Sequence, residues 1–323
     1  MSQFISGYLL IHSNHDYNCN LLLKSITRKR TGELLRKLFE ILKGAPEGLQ
    51  AREALNALES QVTLSAYESG NYESPGERRF EKIVRFATVD CVKAGWLLKH
   101  KGTWTLTPTG LAAYDLYADP ESFYKEAVKL YNAWKASQPG PNAAPSSDTP
   151  SLEQEESEKE SSIIFEQAEE QAWTKIEQYL QAMNPYEFQD LVAYLLKAMG
   201  YHVAWISPPG KDGGVDILAY NDPLGTRPPR IKVQVKRVSQ KVTVEGLRSF
   251  VSLIGNGDVG LFVSTGGFTK DAEEFVRAQE SRKVTLISAD KLVDLRIAHY
   301  GKLDDMARRR LPLTPIYFLT PQT

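Results

Sequence analysis

Hydrophobic positions along the chain follow two rhythms, and the change from one to the other divides it. Over residues 33–42, Leu34, Leu35, Leu38, Phe39 and Leu42 recur at three- and four-residue spacing, the signature of one helix face. A short second helix is predicted over 51–58, after a turn at 44–48, and a third over 77–94. The third is apolar on one side (Phe80, Ile83, Val84, Ala87, Cys91, Ala94). Its other side is largely basic, with Arg78, Arg79, Lys82, Arg85 and Lys93. Residues 95–107 then alternate on either side of a turn at 99–102, which predicts a β-hairpin.

Three helices followed by a hairpin predict an α+β winged helix, a fold that lays a helix in the major groove and sets its hairpin on backbone phosphate. Arg78, Arg79, Lys82, Arg85, Lys99 and Lys101 are its candidate DNA-binding residues. Trp96 and Trp104 could form an aromatic cage, but on a hairpin they are expected in the core.

The second half has a different rhythm. A helix over 185–199, with Phe188, Leu191, Val192, Leu195 and Leu196 inward, precedes strand candidates at 202–206, 214–220 and 230–237. A helix at 244–254, a strand at 258–264, a helix at 270–280, a strand at 284–287 and a short helix at 290–297 complete the pattern. That order predicts an α/β fold with a central mixed sheet flanked by helices. Between the halves, residues 137–150 are dense in Pro, Gly, Ser and Asn without apolar periodicity, so they are expected to link rather than pack. From Leu152 a helical pattern begins behind a Glu-rich start.

Charge sharpens this division. Residues 151–172 carry eight Glu against one Lys, so −7 resides there; with −1 overall, the remainder carries +6. Two mildly basic domains around an acidic segment suit a polyanion partner. The two cysteines, Cys19 and Cys91, have no partner at disulfide or metal-ligand spacing, which predicts a reducing, cytoplasmic setting. No apolar window is long enough for a membrane span, and residues 1–23 lack the organisation of a signal peptide.

Chemistry concentrates in two short pieces, Gly210-Lys-Asp-Gly-Gly-Val-Asp-Ile217 and Val233-Gln-Val-Lys-Arg237. Gln234 and Lys236 lie two apart on a strand and project from one face, while Val233 and Val235 face the other way. If Asp216 lies on the neighbouring strand, a carboxylate, an amide oxygen and an ammonium converge. Asp216 is a hard oxygen donor suited to Mg²⁺, with Gln234 and the Val235 carbonyl as further candidate ligands. Lys236 would hold the attacking water and stabilise charge on phosphorus. Asp212, before two glycines, reads as a turn former, and Arg237 as a structural ion-pair member. Residues 265–269 read as a loop near nucleic acid or as the cap of the helix beginning at Lys270.

These pieces, with Pro185–Tyr201 before them and Thr265-Gly-Gly-Phe-Thr-Lys-Asp-Ala272 after, resemble the Mrr-type catalytic domain of the PD-(D/E)xK nuclease superfamily in its Gln-x-Lys variant. Residues 79–87, 94–97 and 102–110 are similar to the Mrr N-terminal winged-helix domain, and 311–319 to family C-termini. The resemblance implies catalytic roles for Asp216, Gln234 and Lys236. It also implies metal binding by Asp216, Gln234, Val235 and an acid of the first helix. Gln189 stands where that acid is usual, leaving Glu187 or Asp190 as substitutes; Glu187 projects from a different helix face.

The domains expected are a poorly ordered leader at 1–28, a winged-helix domain at 29–136 and a Pro/Ser-rich then Glu-rich helical linker at 137–172. A restriction-endonuclease-like catalytic domain follows at 173–300, with a C-terminal extension at 301–323. The activity expected is metal-dependent hydrolysis of double-stranded, modified DNA by a homo-oligomer. Gln189 and Gln234 raise the alternative of an inactive DNA-binding protein on a nuclease fold, and an RNA or single-strand nuclease would fit the same motif.

Overall fold

A computed structural model describes residues 26–72, 78–137, 152–210 and 213–318. The leader through Ser25, the Pro/Ser-rich stretch 138–151 and Asp212 lie outside the described residues. The chain forms two compact units, and the boundary between them falls at Trp173–Thr174.

The first unit begins with α1 (Arg28–Lys43), whose N-terminus is capped by the Thr27 side chain accepting from the Arg30 N–H. Strand β1 (Leu49–Gln50), α2 (Ala51–Gln61) and α3 (Arg79–Lys93) follow. Strands β2 (Leu97–His100) and β3 (Thr103–Leu106) pair as a hairpin, and β1 joins β3 to make a three-stranded antiparallel sheet. The hairpin turns at Lys101 (φ 49°) and Gly102 (φ 77°), two successive left-handed residues of the kind a two-residue turn needs to match strand twist.

Two further helices, α4 (Pro108–Leu116) and α5 (Pro120–Ser137), occupy a stretch for which the hydrophobic pattern predicts no element. Phe123 and Ala127 of α5 enter the core formed by Leu34, Leu38, Phe39, Phe80, Ile83 and Trp104. Trp96 and Trp104 are both buried there, as core residues.

Helix α6 (Leu152–Ala182) carries the unit boundary within it. Its Glu-rich part, expected as a linker, packs instead on the first unit: Ile163 is buried with Val89 and Tyr131.

The second unit contains α7 (Pro185–Ala198), β4 (His202–Ile206), β5 (Ile217–Tyr220) and β6 (Arg230–Lys236). Next come α8 (Val244–Ser252), β7 (Asp258–Ser264), α9 (Lys270–Arg277), β8 (Lys283–Ser288), α10 (Ala289–Ala298) and α11 (Asp305–Arg310). The strands form one mixed sheet in chain order, β4-β5-β6-β7-β8, antiparallel through β6 and parallel beyond it. Ile217, Val233, Phe262 and Val263 are buried in it, and helices flank it. Strand β5 starts three residues later than the apolar pattern predicts, because Gly213 and Gly214 adopt φ of 65° and 86°, a turn conformation that ends the extended backbone.

Candidate active site

The turn at Gly213–Gly214 delivers Asp216 to the end of β5, where its backbone N–H donates to the Val233 carbonyl at 2.8 Å. Its buried carboxylate is fixed by one short bond: Oδ2 accepts the Val235 N–H at 2.6 Å. Asp216 is thereby held on the strand segment that carries Gln234 and Lys236 on one face. The turn also approaches Gln234, since a Cβ added to Gly214 would lie 3.9 Å from its Nε2. The pairing of β5 with β6 therefore places Asp216 beside Val235, with Gln234 and Lys236 flanking that residue on the same strand; the Lys236 ammonium lies 5.9 Å from the Phe262 ring centroid.

Gln234 Oε1 is buried without a hydrogen-bond partner among the described residues. A buried carbonyl oxygen left in this condition costs free energy unless something completes it. With the Asp216 carboxylate, it offers two hard oxygens of the type Mg²⁺ accepts, and Mg²⁺ commonly takes one or two carboxylates and fills its remaining positions with water and phosphate. The donor set fits a divalent cation. Among the described residues no group of three or more His, Cys, Asp or Glu could hold a metal, so a closed all-protein cage is not what this site offers. Val235 enters through its N–H, as the anchor of Asp216.

Glu187 does not join the site. Its carboxylate pairs with Arg310 of α11 at 2.6 Å, and Asp190 pairs with the same guanidinium at 3.0 Å. The α7 residue that does reach the site is Gln189, whose Nε2 donates to the Ser207 carbonyl at 2.9 Å and to the Asp216 carbonyl at 3.4 Å. Helical phase explains the correction: two residues correspond to about 200° of rotation, so Glu187 and Gln189 face nearly opposite ways. Gln189 steadies backbone on both sides of Asp216 and supplies no acid.

Past Lys236, an open cleft of about 730 Å³ is lined by Lys236, Arg237, Ser239, Gln240, Lys241 and Thr243, among others. Arg237, expected in an ion pair, donates instead to the Gln181 carbonyl. Residues 265–269 fulfil the capping expectation, the Thr269 side chain accepting from the Ala272 N–H at the start of α9.

The candidate DNA-binding residues of the first unit meet acidic partners. Arg85, expected on an open face, is 4% exposed and bonds Glu166 at 2.6 Å and Glu170 at 2.7 Å. Lys99 reaches Glu166 at 2.6 Å, and burial pushes its ammonium pKa down against the pull of that carboxylate. Glu166 also accepts from the Trp104 indole at 2.9 Å. Lys82 pairs with Glu160 at 3.1 Å, the Lys101 N–H donates to Glu169, and the Lys101 ammonium lies 4.8 Å from the Trp173 ring centroid. Arg78 pairs with Glu59 and Glu81, while Arg79 stacks on Tyr67 and Tyr72. Four of the eight Glu residues that the charge pattern isolated, at 160, 166, 169 and 170, thus meet the basic side of α3 and the hairpin.

Residues 180–296 match the family model of the Mrr catalytic domain, described as a restriction endonuclease. Over 280 residues the chain is 24% identical to the type IV methyl-directed restriction enzyme EcoKMrr of Escherichia coli (strain K12), covering 82% of this chain and 90% of that enzyme. Among solved structures, the MspJI restriction endonuclease in complex with a 27-mer oligonucleotide is similar at a TM-score of 0.30 and 21% identity, over 60% of this chain and 44% of that one. A repair endonuclease from Pyrococcus abyssi is similar at a TM-score of 0.24 and 16% identity, over 33% of this chain and 48% of that one. The chain thus spans less than half the length of either solved protein. The segment that matches the Mrr catalytic-domain model contains the whole sheet from β4 to β8, and Asp216, Gln234 and Lys236 with it.

Proposed function

We propose that the protein is a modification-dependent DNA endonuclease that hydrolyses phosphodiester bonds at Asp216, Gln234 and Lys236 with Mg²⁺ or another divalent cation. One observation carries this reading: the 2.6 Å bond from the Val235 N–H fixes the Asp216 carboxylate on the strand that presents Gln234 and Lys236. Asp216 and the Gln234 carbonyl oxygen would hold the cation, which supplies Lewis-acid stabilisation of charge on phosphate oxygens. Lys236 orients the attacking water and offsets negative charge as it builds on phosphorus, a role for which a fixed cation is suited. Gln189 keeps the Asp216 backbone in place.

Residues 29–136 are proposed as a winged-helix domain that reads DNA. Because Arg85 and Lys99 are buried against Glu166, and Arg78 and Lys82 are ion-paired with Glu59, Glu81 and Glu160, contact falls to the hairpin tip at His100 and Lys101. A preference for modified bases is supported by likeness to the methyl-directed enzyme. A double-strand break requires two cuts, and a homo-oligomer would supply two sites. In the described residues, no helix is long and apolar enough to cross a membrane.

The test is cleavage of unmethylated and cytosine-methylated plasmid DNA with Mg²⁺ by wild type, Lys236→Ala and Asp216→Ala. Cutting confined to methylated DNA and abolished by both substitutions is the expected result. Cutting of both plasmids would retain the nuclease and remove the modification preference. A second reading, an inactive DNA-binding protein, is favoured by Asp216 being the one carboxylate at the site among the described residues and by Gln189 donating where an acid would ligate. Wild-type binding without cutting at any divalent cation would establish that reading instead.

A further inference from the structure

The cleft beside Lys236 has four features that the catalytic residues do not require. Its lining includes Lys236, Arg237 and Lys241, and none of the described residues that line it is acidic. Glu245, in the first turn of α8, does not line it. Ser239, Gln240, Lys241 and Thr243 add hydroxyl and amide donors to the cations, and Ser239, Gln240, Lys241 and Thr243 are all exposed. Thr243 is the N-cap of α8 yet makes no capping hydrogen bond, so the N–H groups of that first turn also face the cleft end without a side chain closing them. Within the cleft wall, the Arg237 Nε is buried with no partner among the described residues.

Rigidity sets the cleft apart further. The loop 238–243 is held against residues 265–269 along its length. Thr265 Oγ1 accepts the Val238 N–H at 2.9 Å and donates to the Val238 carbonyl at 2.7 Å. The Val242 N–H donates to Gly267 at 3.0 Å, and the Thr269 N–H to Val242 at 3.1 Å. Gly266 lies so close that a Cβ there would fall 2.2 Å from the Gln240 carbonyl oxygen. Val242 and Phe268 anchor the two loops in one core with Leu247 and Phe250. A loop with exposed polar side chains is thus fixed from behind, which lowers the ordering cost of any ligand that it binds.

We infer that the loop 238–243 is a preformed phosphate grip: Ser239, Lys241 and Thr243, with Arg237, hold the sugar–phosphate backbone of the nucleic-acid strand next to the phosphate that Lys236 meets. Residues 265–269 are positioning residues that keep this loop in register. The inference rests on the nuclease reading above and names the part of the substrate that the cleft takes. An open cleft rich in donors, with no acid among the described residues that line it, suits a polyanionic backbone better than a small apolar ligand, and a backbone contact carries no base-edge information.

The experiment uses the full chain and a duplex of about 30 base pairs, with dissociation constants measured over a series of KCl concentrations in the absence of divalent cation. Each phosphate contact removed should lower the slope of log K against log salt by about one. Lys241→Ala is expected to lower that slope by about one and to weaken binding several-fold, while Lys241→Arg restores both. With Mg²⁺ present, Lys241→Ala should raise KM far more than it lowers kcat, whereas Lys236→Ala abolishes turnover. An unchanged slope in both Lys241→Ala and the Ser239→Ala/Lys241→Ala double variant would overturn the grip, even if the wild type cuts DNA. Binding by a wild type that never cuts would sink the nuclease reading while the salt slope still reports on the cleft. No binding by wild type would overturn the inference outright.

Discussion

Each unit of this protein has a cluster of cations, and the two clusters are built in opposite ways. In the first, Arg85 and Lys99 are buried against Glu166 and Glu170 of α6, and Glu166 is further satisfied by the Trp104 indole. In the second, Lys236, Arg237 and Lys241 line an open cleft with no acid among its described lining residues. Both look alike in the sequence, as basic residues on or beside a regular element. The difference teaches that a basic face identifies a nucleic-acid surface only when the chain does not bury it under its own anions. The cluster in the second unit includes the exposed Lys241, whereas Arg85 in the first is buried.

The sharpest way to break this comparison is Arg85→Ala. It would leave Glu166 and Glu170 as buried carboxylates short of a partner, a defect that costs about 3–5 kcal/mol in comparable sites. Thermal denaturation should register that loss whether or not DNA is present. Retained stability with lost DNA binding would instead make Arg85 part of the DNA interface. Next in size is Gly266→Ala, where the new Cβ must push the Gln240 carbonyl aside, at a cost of about 1–3 kcal/mol. Cleavage measured well below the melting temperature should fall in this variant, because the loop that it displaces lines the cleft. Full cleavage at normal KM would show that the loop's register does not matter.

The smallest effect concerns a third group of charges, in which Arg230 and then Lys232 hold the Asp258 carboxyl down to about 2, from 3.8. A carboxyl depressed in the folded state contributes stability that is complete above about pH 4 and is lost as pH falls toward about 2. The unfolding temperature of the wild type should therefore decline over that interval, and Asp258→Asn should flatten part of the decline. Equal slopes for the two proteins would mean that this ion pair forms without contributing to stability.

The mixed sheet, the hairpin and the shared face of Gln234 and Lys236 were legible because each follows from local periodicity. Trp96 and Trp104 were legible as core for the same reason, since alternation on a hairpin places them inward. Two kinds of information were not. Helix α5 escaped because its buried residues, Phe123, Ala127 and Tyr131, are thinly spaced among Lys, Glu and Tyr, leaving no strong apolar stripe. The partners of Arg85 escaped because Glu166 is 81 residues away and nothing local relates the two. The choice between Glu187 and Gln189 lay in between: the inward face of the helix was evident, but the pairing of Glu187 with Arg310, 123 residues away, has no local signal.

Strand order in the second unit equals chain order, and this has a consequence for how the protein is made. During synthesis each new strand can add to an edge already laid, with no insertion between earlier neighbours, and short-range additions of this kind close small loops early. Asp216 meets Val235 as soon as β6 pairs with β5. The loop 238–243 gains its backing only after β7 and residues 265–269 have emerged from the ribosome. The bond that fixes Asp216 therefore requires no residue beyond β6, whereas the backing of the loop requires the chain as far as Thr269.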